Sequence, residues 1–169
     1  VGTYTITYSA TDASGNTGSE TRTVTVVDTT APVISVTSGT DTVELGATWT
    51  DAGATADGGE TVTTSGSVDT STVGTYTITY SATDASGNTG SETRTVTVVD
   101  TTAPVISVTS GTDTVELGAT WTDAGATADG GETVTTSGSV DTSTVGTYTI
   151  TYSATDASGN TGSETRTVT

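Results

Sequence analysis

The chain has 169 residues, and twenty acidic side chains against three arginines give it a net charge of −17, with no Cys, His, Lys, Met, Phe or Gln. Nucleic acid is excluded as a partner because phosphate binding needs clustered basic side chains, and the lack of Cys excludes thiol catalysis, disulfides and Cys-type zinc sites. Only carboxylates could act as acid and base, and a small repeat rarely has the deep cleft they need, so we predict that the chain is not an enzyme.

One unit of 72 residues is repeated letter for letter along the chain. Residues 1–97 recur unchanged as residues 73–169, which amounts to two and a third copies. Identical copies argue against a single evolved pocket, because each copy would carry the same surface. They favour a function that scales with copy number, such as reach, spacing or multivalent display.

Short polar runs that end in the only two prolines mark the boundaries between copies. The run Asp-Thr-Thr-Ala-Pro at 28–32 recurs at 100–104, and such a run between alternating apolar segments is typical of a tight joint between domains. We therefore predict a complete repeat at 28–99, a near-complete repeat at 100–169, and the C-terminal hairpin of a truncated preceding repeat at 1–27. A hairpin alone is marginally stable in water, so it is completed by absent preceding sequence, completed by another chain, or not folded.

In chain order, the first half of the repeat predicts short strands. Ile34 and Val36 indicate an opening strand, residues 43–49 a second strand, and residues 61–68 a middle strand, with a short one near Val73. Each segment combines β-branched side chains with turn residues on both sides.

The second half of the repeat predicts a long hairpin. Residues 76–82 alternate apolar and polar side chains with period two, and residues 93–98 alternate again after a turn-rich stretch. This pattern is typical of half-buried antiparallel strands. The side chains predicted to face inward are Tyr76, Ile78, Tyr80, Val96 and Val98. Six or seven strands per unit, without a helix-length pattern, predict an all-β fold built of small β-sandwiches.

Three segments of the repeat resemble a bacterial immunoglobulin-like repeat family found in tandem in large surface proteins and adhesins. They are DTTAPVI at 28–34, VELGATWTDAGA at 43–54 and VGTYTITYSATDASGN at 73–88. The resemblance implies tandem immunoglobulin-like β-sandwiches arranged as beads on a string, at the cell surface or otherwise outside the cell. It also implies a structural stalk, spacer or filament shaft without catalytic residues. The alternative is a multivalent adhesive module that binds glycan or protein.

An immunoglobulin-like topology would gather several carboxylates and an amide at the pole where the chain enters each repeat. Such flexible oxygen ligands suit Ca²⁺, which takes roughly 6–8 of them, and an ion there would stiffen the joint between repeats. No contiguous calcium-binding loop is present, and Asp and Asn also occur as turn residues that bond their own backbone, so both interpretations stay open. The candidate Ca²⁺ ligands are Asp28, Asp51, Asp57, Glu60, Asp84 and Asn88 in one repeat and Asp100, Asp123, Asp129, Glu132, Asp156 and Asn160 in the next.

The remaining distinctive side chains have structural interpretations. We expect Trp49 to pack in the core rather than stack on a sugar, and Tyr76 or Tyr80 to form the tyrosine corner of the sandwich. We expect Arg94 to form an exposed ion pair with Glu92 or with a neighbouring strand, a pair that contributes about 0–1 kcal/mol. The expected partners are neighbouring repeats and other copies in a fibre. No apolar run reaches the roughly 20 residues that cross a bilayer, so membrane insertion by this segment is not expected.

Overall fold

The computed structural model describes all residues from Val1 to Thr169, and it contains strands and no helix. No helix of the length and hydropathy needed to cross a membrane is therefore present. The chain divides into two compact units, Val1–Val98 and Val99–Thr169. Thirteen strands make up these units, with the following bounds: β1 Gly2–Thr11, β2 Thr17–Val26, β3 Ile34–Val36, β4 Thr42–Glu44, β5 Ala54–Ala56, β6 Thr63–Ser65, β7 Gly74–Thr83, β8 Thr89–Val99, β9 Ile106–Val108, β10 Ala126–Ala128, β11 Thr135–Ser137, β12 Tyr148–Thr155 and β13 Thr161–Val168.

The complete repeat of the first unit is a two-layer sandwich. A long antiparallel hairpin, β7–β8, forms the centre of a four-stranded sheet in the order β4-β8-β7-β6. The antiparallel pair β3–β5 forms the other layer. We call residues 28–72 the front segment and residues 73–98 the rear hairpin. The front segment therefore supplies both flanking strands of the larger sheet and the whole of the second layer.

The core of this sandwich lies between the two layers. Ile78 and Tyr80 of the rear hairpin are 2% and 0% exposed, and they pack with Ile34 of the front segment, against which Trp49 and Val68 also lie. A second cluster joins Val43, Val96 and Val98. The predicted alternation of the hairpin is confirmed, and Tyr76 is half-buried at the edge of the second cluster.

The opening strand of the front segment is confirmed as Ile34–Val36, but the second and middle strands were predicted too long. The second strand ends at Glu44 rather than residue 49, because Gly46 turns the chain at a φ of 76°. The middle strand covers only Thr63–Ser65, since Gly66 adopts a φ of 94°. Both values lie in the left-handed region that favours glycine. Strand β5 was not predicted, and the short strand predicted near Val73 is the start of β7.

The second unit repeats this arrangement with five assigned strands. β9 pairs with β10, and β11, β12 and β13 form a three-stranded sheet. The segment equivalent to β4 is held by two backbone hydrogen bonds with Thr169, donated by Val115 N–H and accepted by Asp113 C=O. The side chains equivalent to the first core cluster, Ile106, Ile150 and Tyr152, form the core of this unit.

The segment 1–26 folds as a hairpin alone. β1 and β2 pair from Gly2↔Val26 to Thr11↔Thr17, which is the register of the rear hairpin shifted by one repeat. Its apolar side chains stay exposed, with Ile6 at 45% and Tyr8 at 54%. We call β1–β2 the open hairpin.

Candidate functional site at the acidic pole

The hairpin tip of each repeat is a tight turn organised by one carboxylate. Asp84 Oδ1 accepts hydrogen bonds from Ser86 N–H and Asn88 N–H at 2.9 Å each, and Asp84 Oδ2 accepts one from Asn88 Nδ2 at 2.9 Å. The Asn88 side chain in particular lowers the pKa of Asp84 below its usual value. In the next repeat Asp156 accepts the same three bonds, from Ser158 N–H, Asn160 N–H and Asn160 Nδ2. Both oxygens of this carboxylate are therefore already hydrogen-bonded to the turn.

The chain enters the repeat through residues 28–33, which we call the entry segment, and this segment is hydrogen-bonded to the hairpin tip. Asp28 Oδ2 accepts a hydrogen bond from Ser86 Oγ at 3.2 Å, and Asn88 Nδ2 donates to the Asp28 carbonyl at 3.2 Å. In the next repeat the equivalent distances for Asp100 are 2.8 and 3.1 Å. The structure thus brings together Asp28, Asp84 and Asn88, three of the predicted ligands. They hold the joint against the repeat that follows it.

Asp57 fastens the same entry segment from the other side. Its Oδ1 accepts from Val33 N–H at 2.9 Å, and its N–H donates to the Val33 carbonyl at 3.1 Å. Close packing adds a third contact, because a Cβ built on Gly90 would collide with the Pro32 carbonyl. The chain at Pro32 can lie this near to β8 only because residue 90 has no side chain.

Glu60 and its counterpart Glu132 differ from the turn carboxylates of the pole in the burial of an unbonded oxygen. One oxygen of each is buried and has no hydrogen-bond partner. In the second unit, Glu132 lines a shallow cavity together with Asp100, Asp129 and Asp156. No group of three or more carboxylates in the structure is arranged to hold a metal ion. The residues present offer oxygen donors, most of which bond their own turns.

Asp51, a further predicted ligand, is bonded to the inner side of the rear hairpin. Tyr80 Oη donates to Asp51 Oδ1 at 2.5 Å and Gly53 N–H donates at 3.0 Å, while Arg94 Nε lies 3.8 Å away. Burial is the largest single influence and acts to raise the pKa of Asp51, but these two hydrogen bonds and the arginine charge together lower it. Asp123 is held in the same way by Tyr152 and Gly125.

Arg94 is buried, so the expectation of an exposed arginine paired with Glu92 is wrong. Its partner is the other alternative, a surface carboxylate beside a neighbouring strand, because Asp41 directly precedes β4. Arg94 is 4% exposed; its Nη1 donates to Asp41 Oδ1 at 2.9 Å, and its Nη2 donates to the Thr37 carbonyl. The register places Arg94 opposite Ile78, on the same face as Val96 and Val98. The period of two that identified those valines as inward-facing should have placed Arg94 with them.

The aromatic side chains are also engaged within the fold. Trp49 packs against the core, as expected, and its Nε1 donates to the Thr40 carbonyl at 2.8 Å. Tyr76 Oη donates to the Thr72 carbonyl four residues upstream at 2.8 Å, which is the pattern of a tyrosine corner. Both side chains are partly buried and hydrogen-bonded within their own repeat. The site as a whole consists of tight turns whose hydrogen bonds hold the entry segment in place.

Comparison with known proteins gives one family match that repeats along the chain. A model of the bacterial surface protein Ig-like domain matches residues 1–26, 33–98 and 105–169. The matched segments leave out residues 27–32 and 99–104, which contain the proline joints. The exact domain limits at 27/28 and 99/100 stay a prediction.

Two relatives and two solved structures are similar to the chain. It is 40% identical to Hyalin of Strongylocentrotus purpuratus over 190 aligned positions, which cover 98% of the chain and 16% of that protein. It is 42% identical to Hyalin of Lytechinus variegatus over 132 positions, 69% of the chain and 25% of that protein. The chain thus spans a quarter or less of these relatives. The lipoprotein BT2262 from Bacteroides thetaiotaomicron has a TM-score of 0.36 and 19% identity over 81% of the chain and 80% of its own length. The protocadherin gammaB7 EC3-6 cis-dimer structure has a TM-score of 0.40 and 16% sequence identity, over 99% of the chain and 58% of its own length.

Proposed function

Because the chain belongs to the family of bacterial surface protein Ig-like domains, we propose that it is a structural stalk, spacer or filament-shaft segment of an exported surface protein. Each repeat would add one sandwich to the length of the parent protein, outside the cell. Neighbouring repeats of the same chain, and other copies in a fibre, would be its partners.

The anchored entry segment is the observation that carries this proposal. Asp28 is bonded to Ser86 and Asn88, and Val33 to Asp57, all within the repeat that the joint enters. A joint fixed to one of its two neighbours has few free residues in which to bend. Identical repeats joined in this way suit a part whose length is set by copy number.

Arrays of two, four and eight repeats test the proposal. We expect the maximum dimension measured by small-angle X-ray scattering to rise linearly, by roughly 35–45 Å per repeat, the span of about ten to twelve strand residues. Growth with the cube root of the copy number would mean a compact assembly and would overturn the stalk function.

The alternative function is a multivalent adhesive module, which a single repeat can test. Its clearest candidate contact, Trp49, is packed on the core and bonded to Thr40, which supports the structural role instead. Saturable binding of a glycan by a single isolated repeat, measured by calorimetry, would favour the adhesive module and displace the pure spacer.

Calcium binding at the acidic pole stays a prediction. Two observations support it. Glu60 and Glu132 each have a buried oxygen without a hydrogen-bond partner, and Glu132 lines a cavity with Asp100, Asp129 and Asp156. An ion that binds only the folded state raises the free energy of unfolding by about 2.7 kcal/mol at a concentration 100-fold above its Kd.

The melting temperature tests this cation. It should rise on adding Ca²⁺ and fall with chelator, and both shifts should vanish in the double variant Glu60→Gln, Glu132→Gln. Glu20→Gln in the open hairpin is the control and should keep the response. An unchanged melting temperature in both solutions would remove calcium from the proposal.

A further inference from the structure

The first and last strands of the complete repeat run alongside each other in the same direction. Pro32 lies against Gly90 near the hairpin tip, and farther along Arg94 Nη2 donates to the Thr37 carbonyl. The chain therefore runs from Pro32 to Thr37, through β3, beside β8 and in its direction, although the two strands belong to different layers. We propose that Arg94 is a force-bearing clamp, which holds the entry end of the repeat to its last strand when the stalk is under tension.

Tension along the chain loads the contact between these two strands in shear. This inference rests on the proposed stalk function, in which an internal repeat is pulled at its entry segment and at Val99, the last residue of β8. The two points lie at opposite ends of the strand pair, so pulling slides β3 and β8 past each other. The bonds between the strands then have to break together, whereas the bonds at the open end of a hairpin break one after another.

Arg94 makes charged hydrogen bonds across this strand pair. Its Nη1 donates to Asp41 Oδ1 at 2.9 Å, in addition to the bond from Nη2 to the Thr37 carbonyl. Hydrogen bonds to an ionised group are among the stronger ones in proteins. The backbone adds one more, from Thr97 N–H to the Asp41 carbonyl at 2.9 Å. Residues 37–41, which directly continue β3, are thus fastened to β8 at two successive points.

The loop after β3 packs closely on the guanidinium group. A Cβ built on Gly39 would lie 2.5 Å from Arg94 Nη1, so only glycine lets the loop pass this near to the arginine. The second unit repeats the arrangement, since Arg166 Nη2 donates to the Thr109 carbonyl and Arg166 Nη1 lies 3.4 Å from Asp113 Oδ1. A clamp present in both repeats would give each of them the same resistance to tension.

Resistance to tension accounts for a buried charge that equilibrium stability explains poorly. Arg94 and Arg166 are the buried charged side chains of the chain, and desolvation of such a charge offsets much of what its bonds contribute to folding. Forced unfolding depends on the rate of unfolding and not on its free energy. Bonds that stay intact until the barrier is crossed slow that rate, and the bonds of Arg94 lie directly across the two strands that tension pulls apart.

Unfolding at constant force in an optical trap, with the full 169-residue chain held by its two ends, tests the clamp. Arg94→Met should unfold the complete repeat about tenfold faster, because bonds to a buried charge are lost, while the second unit serves as an internal reference. Asp41→Asn changes a 60% exposed partner and leaves the core intact, and it should also accelerate unfolding. Tyr76→Phe removes a bond to Thr72 within the chain's own neighbourhood and should not. Unchanged rates for Arg94→Met and Asp41→Asn would overturn the proposal.

The direction of pulling separates a clamp from a residue that only stabilises the fold. The chain has no Cys, so handles attached through Val73→Cys and Thr101→Cys apply the force at the two ends of the rear hairpin. The hairpin then unzips from Gly74↔Val98 onwards, and Arg94→Met should change this rate much less than the rate along the chain. Equal acceleration in both directions would overturn the clamp. The growth of array length in X-ray scattering does not depend on Arg94, so a compact array would overturn the stalk function and leave the result on the clamp as it stands.

Discussion

The open hairpin and the rear hairpin of the first unit have the same sequence and the same strand register, yet their side chains have different surroundings. Tyr8 is 54% exposed, whereas Tyr80 is fully buried. Both tips make the same bonds, since Asp12 accepts from Ser14 N–H, Asn16 N–H and Asn16 Nδ2 just as Asp84 does from its own turn. Local sequence is therefore sufficient for the turn and the pairing, and burial comes entirely from the front segment.

The largest expected difference between the two hairpins is in the core. Ile78→Ala should lower the free energy of unfolding of the complete repeat by about 2–5 kcal/mol, because a buried side chain is lost and a cavity is left. Urea denaturation followed by Trp49 fluorescence, in a Trp121→Phe background, reports this repeat alone. Ile6→Ala is the matched control and should leave the Trp49 transition unchanged; equal effects of the two variants would contradict the difference in burial.

The close approach of the entry strand gives the next largest difference. Gly90→Ala should destabilise the complete repeat by about 1–3 kcal/mol, since the new methyl group meets backbone that has little room to move. Gly18→Ala places the same methyl group in open space, so the Trp49 transition should not move. A neutral Gly90→Ala would show that the Pro32 segment can shift away without cost.

The buried arginine should give a smaller difference. Arg94→Met removes a cation that is bonded to Asp41 and the Thr37 carbonyl, but Asp41 is 60% exposed and water can replace the lost partner. We expect a loss of about 1–2 kcal/mol, between the values for exposed and buried pairs. Arg22→Met in the open hairpin should have no effect on the same urea midpoint. A stabilised Arg94→Met would mean that the desolvation of the arginine outweighs its bonds.

Acid should weaken the complete repeat through Asp51. A carboxyl group whose pKa is lowered on folding contributes stability above its ordinary value of 3.8, and that contribution is lost as the pH falls through the lower folded value. The urea midpoint should thus be flat near neutral pH and fall below about pH 4. Asp51→Asn should make this fall shallower, whereas Asp12→Asn should not change it. An identical acid profile for Asp51→Asn would show that other carboxylates dominate.

Sequence patterns predicted the fold well where one face of a strand is apolar and regular. The alternation in 76–82 and 93–98 predicted the rear hairpin and most of its buried side chains. In the front segment the predicted opening strand is confirmed as Ile34–Val36, but the bounds of the second and middle strands were wrong, because these strands are three residues long and too short to show a period. It also failed at Arg94, because its charge was given more weight than its position in the alternation.

The candidate site was predicted in part. Asp28, Asp84 and Asn88 do lie together, because the entry segment and the hairpin tip meet at one pole. Asp51 was grouped with them, yet it bonds to Tyr80 on the hairpin's inner face. A loop residue can face the pole or the core, and the backbone path between Trp49 and Gly53 decides which.

The 72-residue repeat, the all-β character, the rear hairpin and the acidic turns were all readable from the amino-acid sequence, since each depends on residues near one another in the chain. The burial of Arg94, the contact of Gly90 with the Pro32 carbonyl, and the choice of hairpin that each front segment covers depend on tertiary packing. The last decision cannot come from residue identity, because all the hairpins are the same. It follows from chain reach. To close on the hairpin before it, Pro32 would have to reach Gly18, the equivalent of Gly90, which lies eight strand residues or about 27 Å from Val26, whereas the six residues from Val26 to Pro32 extend at most about 22 Å.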